Sequence, residues 1–222
     1  MIDRFFELLG NDTSDQVFNP WHQTDPENDL DPEAPTKRLS NLKAYLKERT
    51  QADYLRCAEA LGYQGGHFTG IPMTSERIIL GHRADQGISP EHVCRTKLHR
   101  TSNGQKYKDG FNEPTATIVW KKLIEENLET RDVVLWNAYP WHPFKPDKGL
   151  LSNRTPSTSE MKEGEPVLKA FLDAFNFKTV FALGNKADLA LKGLGIEAVK
   201  LRHPAMGGAE KFRAQFLQAI GR

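Results

Sequence analysis

From Thr115 onward the chain alternates short β-like runs with amphipathic helical stretches, and this alternation limits the fold more than any other feature. Ala116 to Leu128 has helical periodicity, and Val133 to Trp136 reads as a strand. Ser159 to Phe175 is helical, with an interruption expected at Gly164 to Pro166. Thr179 to Leu183 is a strand, Asn185 caps a helix to about Leu194, Glu197 to Leu201 is a strand, and Glu210 to Ile220 closes the chain as an amphipathic helix. The first half is less regular. It holds a short helix at Met1 to Leu9, a helix at Arg38 to Arg49 with Leu39, Leu42, Tyr45 and Leu46 on one face, a buried strand at Tyr54 to Ala58, and a short helix capped by Thr74 that runs to Leu80. Strands joined through helices make right-handed crossovers and a parallel sheet. The expected fold class is therefore α/β: a three-layer α/β/α domain around a central, mostly parallel sheet of about four strands. It spans 1–222 as one domain, with 1–50 as an N-terminal helical and loop extension and 81–114 as an irregular basic insertion.

In such a sheet the carboxyl ends of the strands share one edge, where ligands bind. Four runs end there in polar or glycine-bearing segments: Glu59-Ala60-Leu61-Gly62, Asn137, Gly184-Asn185, and His203 in Leu201-Arg202-His203-Pro204-Ala205. The fold would gather all four into one pocket.

Composition narrows the setting. A net charge of +1 gives no strong overall field, so a polyanion would be met by a local patch. The 38% hydrophobic and 27% charged content is that of a soluble globular chain, and no apolar run approaches the roughly 18 residues of a membrane span. The acidic early residues argue against a signal peptide. The two cysteines, Cys57 and Cys94, suit a reducing compartment and are too few for an iron–sulfur cluster or an all-cysteine zinc site. These features point to a cytoplasmic protein, monomeric and without a membrane partner. The Pro- and acid-rich segment from Trp21 to Thr36 reads as a solvated surface loop. The insertion carries Arg95, Lys97, Arg100, Lys106 and Lys108 with no acid between His92 and Lys108, which suits either a phosphate-contacting loop or a plain soluble insertion.

The motifs, in order, are Ala58-Glu59-Ala60-Leu61-Gly62-Tyr63 with Thr69-Gly70-Ile71-Pro72-Met73, then Trp136-Asn137-Ala138 with Asn153-Arg154-Thr155-Pro156 and Glu160, then Leu183-Gly184-Asn185, then His203-Pro204-Ala205. Each is weak alone; their order and spacing resemble the uracil-DNA glycosylase superfamily, most nearly the branch with GEAPG and HPA motifs. The resemblance runs from about Tyr54 to the C-terminus.

The resemblance implies hydrolysis of the N-glycosidic bond of uracil in DNA, as in base excision repair, with no cofactor and no metal. Such chemistry requires the base to be flipped into a pocket. It also implies roles. Glu59 positions the attacking water or stabilises the cationic sugar, and His203 donates to uracil O2 as charge grows on the leaving base. Asn137 reads the base edge with one donor and one acceptor. The backbone of Ala60 and Leu61 faces the pocket. Met206, with Gly207 beside it, wedges into the duplex. Arg154, with Asn153 and Thr155, braces the second motif or contacts phosphate. The sequence departs from the pattern at several points. Leu61 stands for the family's Pro and Ala58 for its first Gly. Ala60 occupies a site that carries Asp or Asn in other branches, and the cluster cysteines are missing. Met73 stands where a Phe stacks on uracil; Met73 can itself pack on the base, and Phe68, Tyr63 or Trp141 could supply the ring instead. These departures leave room for another deaminated base, or for a catalytically silent nucleic-acid or nucleobase-binding domain on the same fold. An α/β hydrolase of free nucleosides or nucleotides is a third reading.

Overall fold

The structure is a computed structural model and describes residues 1–11, 13–202 and 207–219. Its helices are α1 (Ile2–Leu9), α2 (Ala34–Lys47), α3 (Gly66–Thr69), α4 (Glu76–Ile79), α5 (Pro90–Val93), α6 (Pro114–Glu125), α7 (Thr158–Asp173), α8 (Asn185–Gly193) and α9 (Ala209–Ala219). Its strands are β1 (Val17–Phe18), β2 (Tyr54–Ala60), β3 (Val133–Tyr139), β4 (His142–Pro143), β5 (Thr179–Leu183) and β6 (Val199–Leu201).

Four strands form a parallel sheet in the order β3-β2-β5-β6, as the alternation of strands and helices requires. Cys57 of β2 lies opposite Trp136 of β3 and Ala182 of β5, so these three side chains share a face. On that face Trp136 stacks on Phe171 of α7, with ring centroids 4.7 Å apart, and meets the edge of Phe5 of α1 at 5.1 Å. Arg56 and Phe181 point the other way, to Phe216 of α9. The sheet is thus sandwiched between helices, and its interior residues are almost fully buried.

β3 is an edge strand, and an edge exposes unpaired backbone groups. Here α2 covers them. The Tyr45 hydroxyl accepts from Leu135 N at 2.8 Å, and Arg49 Nε donates to the Val133 carbonyl at 3.0 Å. The N-terminal extension is therefore built into the sheet.

Several local expectations are corrected. The acidic segment is not a solvated loop: Asp25, Asn28 and Asp29 are buried. Asp29 takes a bidentate pair from the buried Arg38 guanidinium (2.7 and 3.1 Å), and Asp25 Oδ2 lies 3.2 Å from His67 Nε2. The acids are drawn inward because fully buried basic partners await them. α7 runs through Gly164 and Pro166 without interruption. Gly164 serves close approach, since a methyl group there would come within 2.8 Å of the Tyr139 ring. Asn185 does not cap α8; Gly184, at φ +90°, holds the cap position and Asn185 is the first helical residue. Thr74 does not cap α4 either. Its hydroxyl donates to the Pro72 carbonyl and accepts from Trp120 Nε1, and Ser75 precedes the helix. β1 and β4 form a small antiparallel pair, Val17 with Pro143 and Phe18 with His142, too short to show as a periodic pattern.

Candidate active site

Chain order makes β2 the pivot of the sheet. After β2 the chain adds β3 on one side, then crosses back to place β5 on the other. The carboxyl end of a strand whose neighbours depart in opposite directions opens a crevice, the usual ligand site of an open parallel sheet. A cavity of about 680 Å³ lies there. Ala58, Glu59, Ala60, Leu61 and Gly62 form its floor. Met73, Glu113, Thr115, Lys145, Asn153, Arg154, Thr155 and Arg202 complete the wall. A neighbouring cavity of about 290 Å³ is lined by Gly184, Asn185 and Lys200 and shares Arg202. The ends of β2, β5 and β6 therefore converge, but on two adjoining cavities.

Glu59 is half-buried on the cavity floor, and its carboxylate makes no hydrogen bond or ion pair with another described residue. A carboxylate so placed can orient a water molecule or face a cationic sugar. Met73 is 5% exposed and adopts φ +50°, a left-handed conformation that costs a non-glycine residue energy. Trp120 Nε1 holds its carbonyl at 3.2 Å.

Asn137 lies within β3 rather than at its end, opposite Ala58, and is 1% exposed. With its amide oriented so that each end meets a partner of opposite character, Oδ1 accepts from Leu61 N and Nδ2 donates to the Trp136 carbonyl, each at 3.2 Å. Asn137 is not part of the cavity wall, and the Leu61 N–H points to Asn137.

Arg154 is on the wall, but its five N–H donors are engaged. They reach the Phe144, Thr155 and Gln16 carbonyls and, bidentately, both oxygens of Glu160 at 2.7 and 2.6 Å. Glu160 also closes a capping box with Ser157 at the start of α7. Arg154 is thus a brace of the second motif and has no fork left for phosphate. Asn153 braces likewise: its Oδ1 accepts from Tyr63 N at 3.0 Å, and it packs over Gly62.

Phe68 is corrected as a base platform. It is fully buried, stacked on Phe111 at 4.1 Å and tilted against the His67 ring at 4.3 Å, and does not line the cavity. Trp141 is buried with its Nε1 on the Leu9 carbonyl, and Tyr63 packs edge-on to Phe111. Of the insertion's cations, Arg100 is folded back on the Ser102, Tyr107 and Lys108 carbonyls of its own loop. Arg95 and Lys97 are exposed, away from the cavity. His203 and Met206 lie outside the described residues; Gly207, at φ +73°, stands just before α9.

Sequence reasoning missed Lys145, Arg202 and Glu113. Lys145 and Arg202 are exposed at the cavity wall, where a polyanion would approach. Glu113 stands immediately before Pro114, with no sequence signal that marks it for a cavity wall. In the fold, burial pushes its carboxyl up to about 7. Among the described residues no group of three or more His, Cys, Asp or Glu is placed to hold a metal ion, and no helix is long and apolar enough to cross a membrane.

A parallel sheet covered by helices, with a cavity at its switch point, makes this an open-sheet α/β domain. The chain belongs to the uracil DNA glycosylase superfamily, whose family model matches residues 69–220, well over half its length. That span includes Met73, Asn137, Arg154 and His203 and begins after Glu59. Among solved structures the fold is similar to wild-type SMUG2 of Pedobacter heparinus, at a TM-score of 0.62 and 15% identity, over 99% of this chain and 96% of that one. No curated protein matches the chain.

Proposed function

We propose that this protein is a DNA glycosylase that hydrolyses the N-glycosidic bond of uracil, or of a related deaminated base, in DNA, and so begins base excision repair. The observation that carries the reading is the Glu59 carboxylate, without a partner among the described residues, on the floor of the switch-point cavity in a chain of this superfamily. The cavity is large enough to admit a flipped base. Glu59 holds the water that attacks the sugar C1′, and its charge favours the cationic character of the transition state there. The leaving base carries away the electron pair of the bond, and His203 stabilises that charge. Lys145 and Arg202 meet the phosphates beside the extruded nucleotide. The partner is DNA, the protein acts as a monomer in the cytoplasm, and the reaction uses no cofactor.

A labelled oligonucleotide with a single uracil tests this. It is presented single-stranded, opposite G and opposite A, and abasic sites are broken with alkali. Cleavage that Glu59→Gln and His203→Ala abolish supports the reading. Intact substrate with folded wild-type protein shifts it to another lesion or to a binding role.

A further inference from the structure

Glu113 is a chemical group on the cavity wall that the proposed mechanism leaves unused. It holds the N-cap position of α6, with Pro114 as the first helical residue, yet its side chain makes no cap bond. A short polar residue there, Ser, Thr, Asp or Asn, accepts from the first-turn N–H groups. Instead its Oε2 is buried against Gly65, with no hydrogen-bond partner among the described residues. A methyl group on Gly65 would come within 1.9 Å of that oxygen, so the glycine leaves the space that the carboxyl fills.

Leaving a buried carboxyl unpaired costs stability, and groups kept in that state concentrate at functional sites. Burial alone accounts for the rise of Glu113 to about 7. The other charged groups on the cavity wall, Glu59 from β2, Lys145 and Arg154 from the segment after β3, and Arg202 after β6, contribute nothing to it. A carboxyl held neutral in an apolar setting becomes a hydrogen-bond donor. The Asn137 amide has a partner at each end and does not line the cavity, so Glu113 is the side chain on this wall that can take that part.

We propose that Glu113, as a neutral carboxylic acid, donates its O–H to a carbonyl oxygen of the base held in the cavity, and so stabilises the charge that the base gains as its bond to C1′ breaks. The proposal rests on the glycosylase reading above. In this step the C1′–N electron pair leaves with the base, water oxygen bonds to C1′, the water proton passes to Glu59, and Glu113 keeps its own proton. The base anion then takes the proton from Glu59. Bases that delocalise the departing charge onto a carbonyl, as deaminated bases do, gain most.

The experiment is single-turnover cleavage of a single-stranded uracil oligonucleotide from pH 5.5 to 9, with folding of each variant checked by circular dichroism. Wild type should slow about tenfold per pH unit above pH 7, as a single ionisation dictates. Glu113→Gln, whose amide donates at every pH, should lose that limb and, at pH 6, cleave faster than Glu113→Ala. Glu113→Ala should be about a hundredfold slower at pH 6. An alkaline limb that persists in Glu113→Gln, or wild-type speed in Glu113→Ala at pH 6, overturns the proposal. If the wild type does not cleave the uracil substrate, uracil as the excised base is ruled out, and binding of an oligonucleotide carrying non-cleavable 2′-fluoro-2′-deoxyuridine decides Glu113 separately. Affinity that falls above pH 7 in wild type but not in Glu113→Gln supports it. Binding that is absent or independent of pH overturns it.

Discussion

The Asn137 side chain holds the backbone N–H of Leu61, tying the middle of β3 to the turn that leaves β2. The floor of the cavity is shaped by that bond. Asn137→Ala removes the partner of a buried N–H and leaves a void, so it should lower stability by about 1–3 kcal/mol. Urea denaturation measures this. An unchanged midpoint would show that the amide is not holding the turn.

Glu113 makes stability depend on pH in an unusual direction. Its carboxyl is raised in the fold to about 7 from an ordinary 4.5. Between those values the folded chain holds a proton that the unfolded chain has released, so stability falls as pH rises through the window. Glu113→Gln removes the penalty. Its Tm should exceed that of wild type by on the order of 5 °C at pH 8, with the gap closing at pH 5. Parallel melting curves at both values would refute the buried neutral carboxyl.

Arg154 should not tolerate lysine. All five of its donors are used, and an ammonium group cannot reproduce a planar fork on Glu160 with three carbonyls around it. Arg154→Lys should lose most of the stability lost in Arg154→Ala, as read from thermal melts. Full rescue by lysine would mean that only the charge matters.

Lys145 and Arg202 stand at the cavity wall, whereas Arg95 and Lys97 lie away from it. The double variant Lys145→Ala, Arg202→Ala should flatten the salt dependence of DNA binding by about two phosphate contacts, and Arg95→Ala with Lys97→Ala should leave it nearly unchanged. Fluorescence anisotropy across salt concentrations separates the pairs, and the reverse order would move the interface to the insertion.

The sheet was legible in the sequence because strands buried on both faces, such as Val133 to Trp136 and Thr179 to Leu183, announce themselves as apolar runs between helical periods. Glu59 stands at the end of one of those runs, but it was the family resemblance, not its position, that implied its role. What stayed hidden depends on partners far away in sequence. Nothing in Asp25 or Asp29 foretells Arg38 and His67, since a buried ion pair and a solvated acid look alike in a string of letters. Phe68 looked available for stacking until Phe111 was found against it. Nothing around Glu113 marks it in the string of letters; its place on the cavity wall comes from the fold.

The covered edge of β3 bears on where this protein can be cut. The family match starts at residue 69, but the Trp21 indole donates to the Gly70 carbonyl, Asn41 to the Thr69 carbonyl, and Tyr45 and Arg49 close the outer rim of β3. A fragment begun at the similarity boundary would lose β2, the pivot of the sheet, and bare a sticky row of amides along β3. Evolutionary likeness and mechanical integrity follow different borders here, and a shortened version would be expected to aggregate rather than to work.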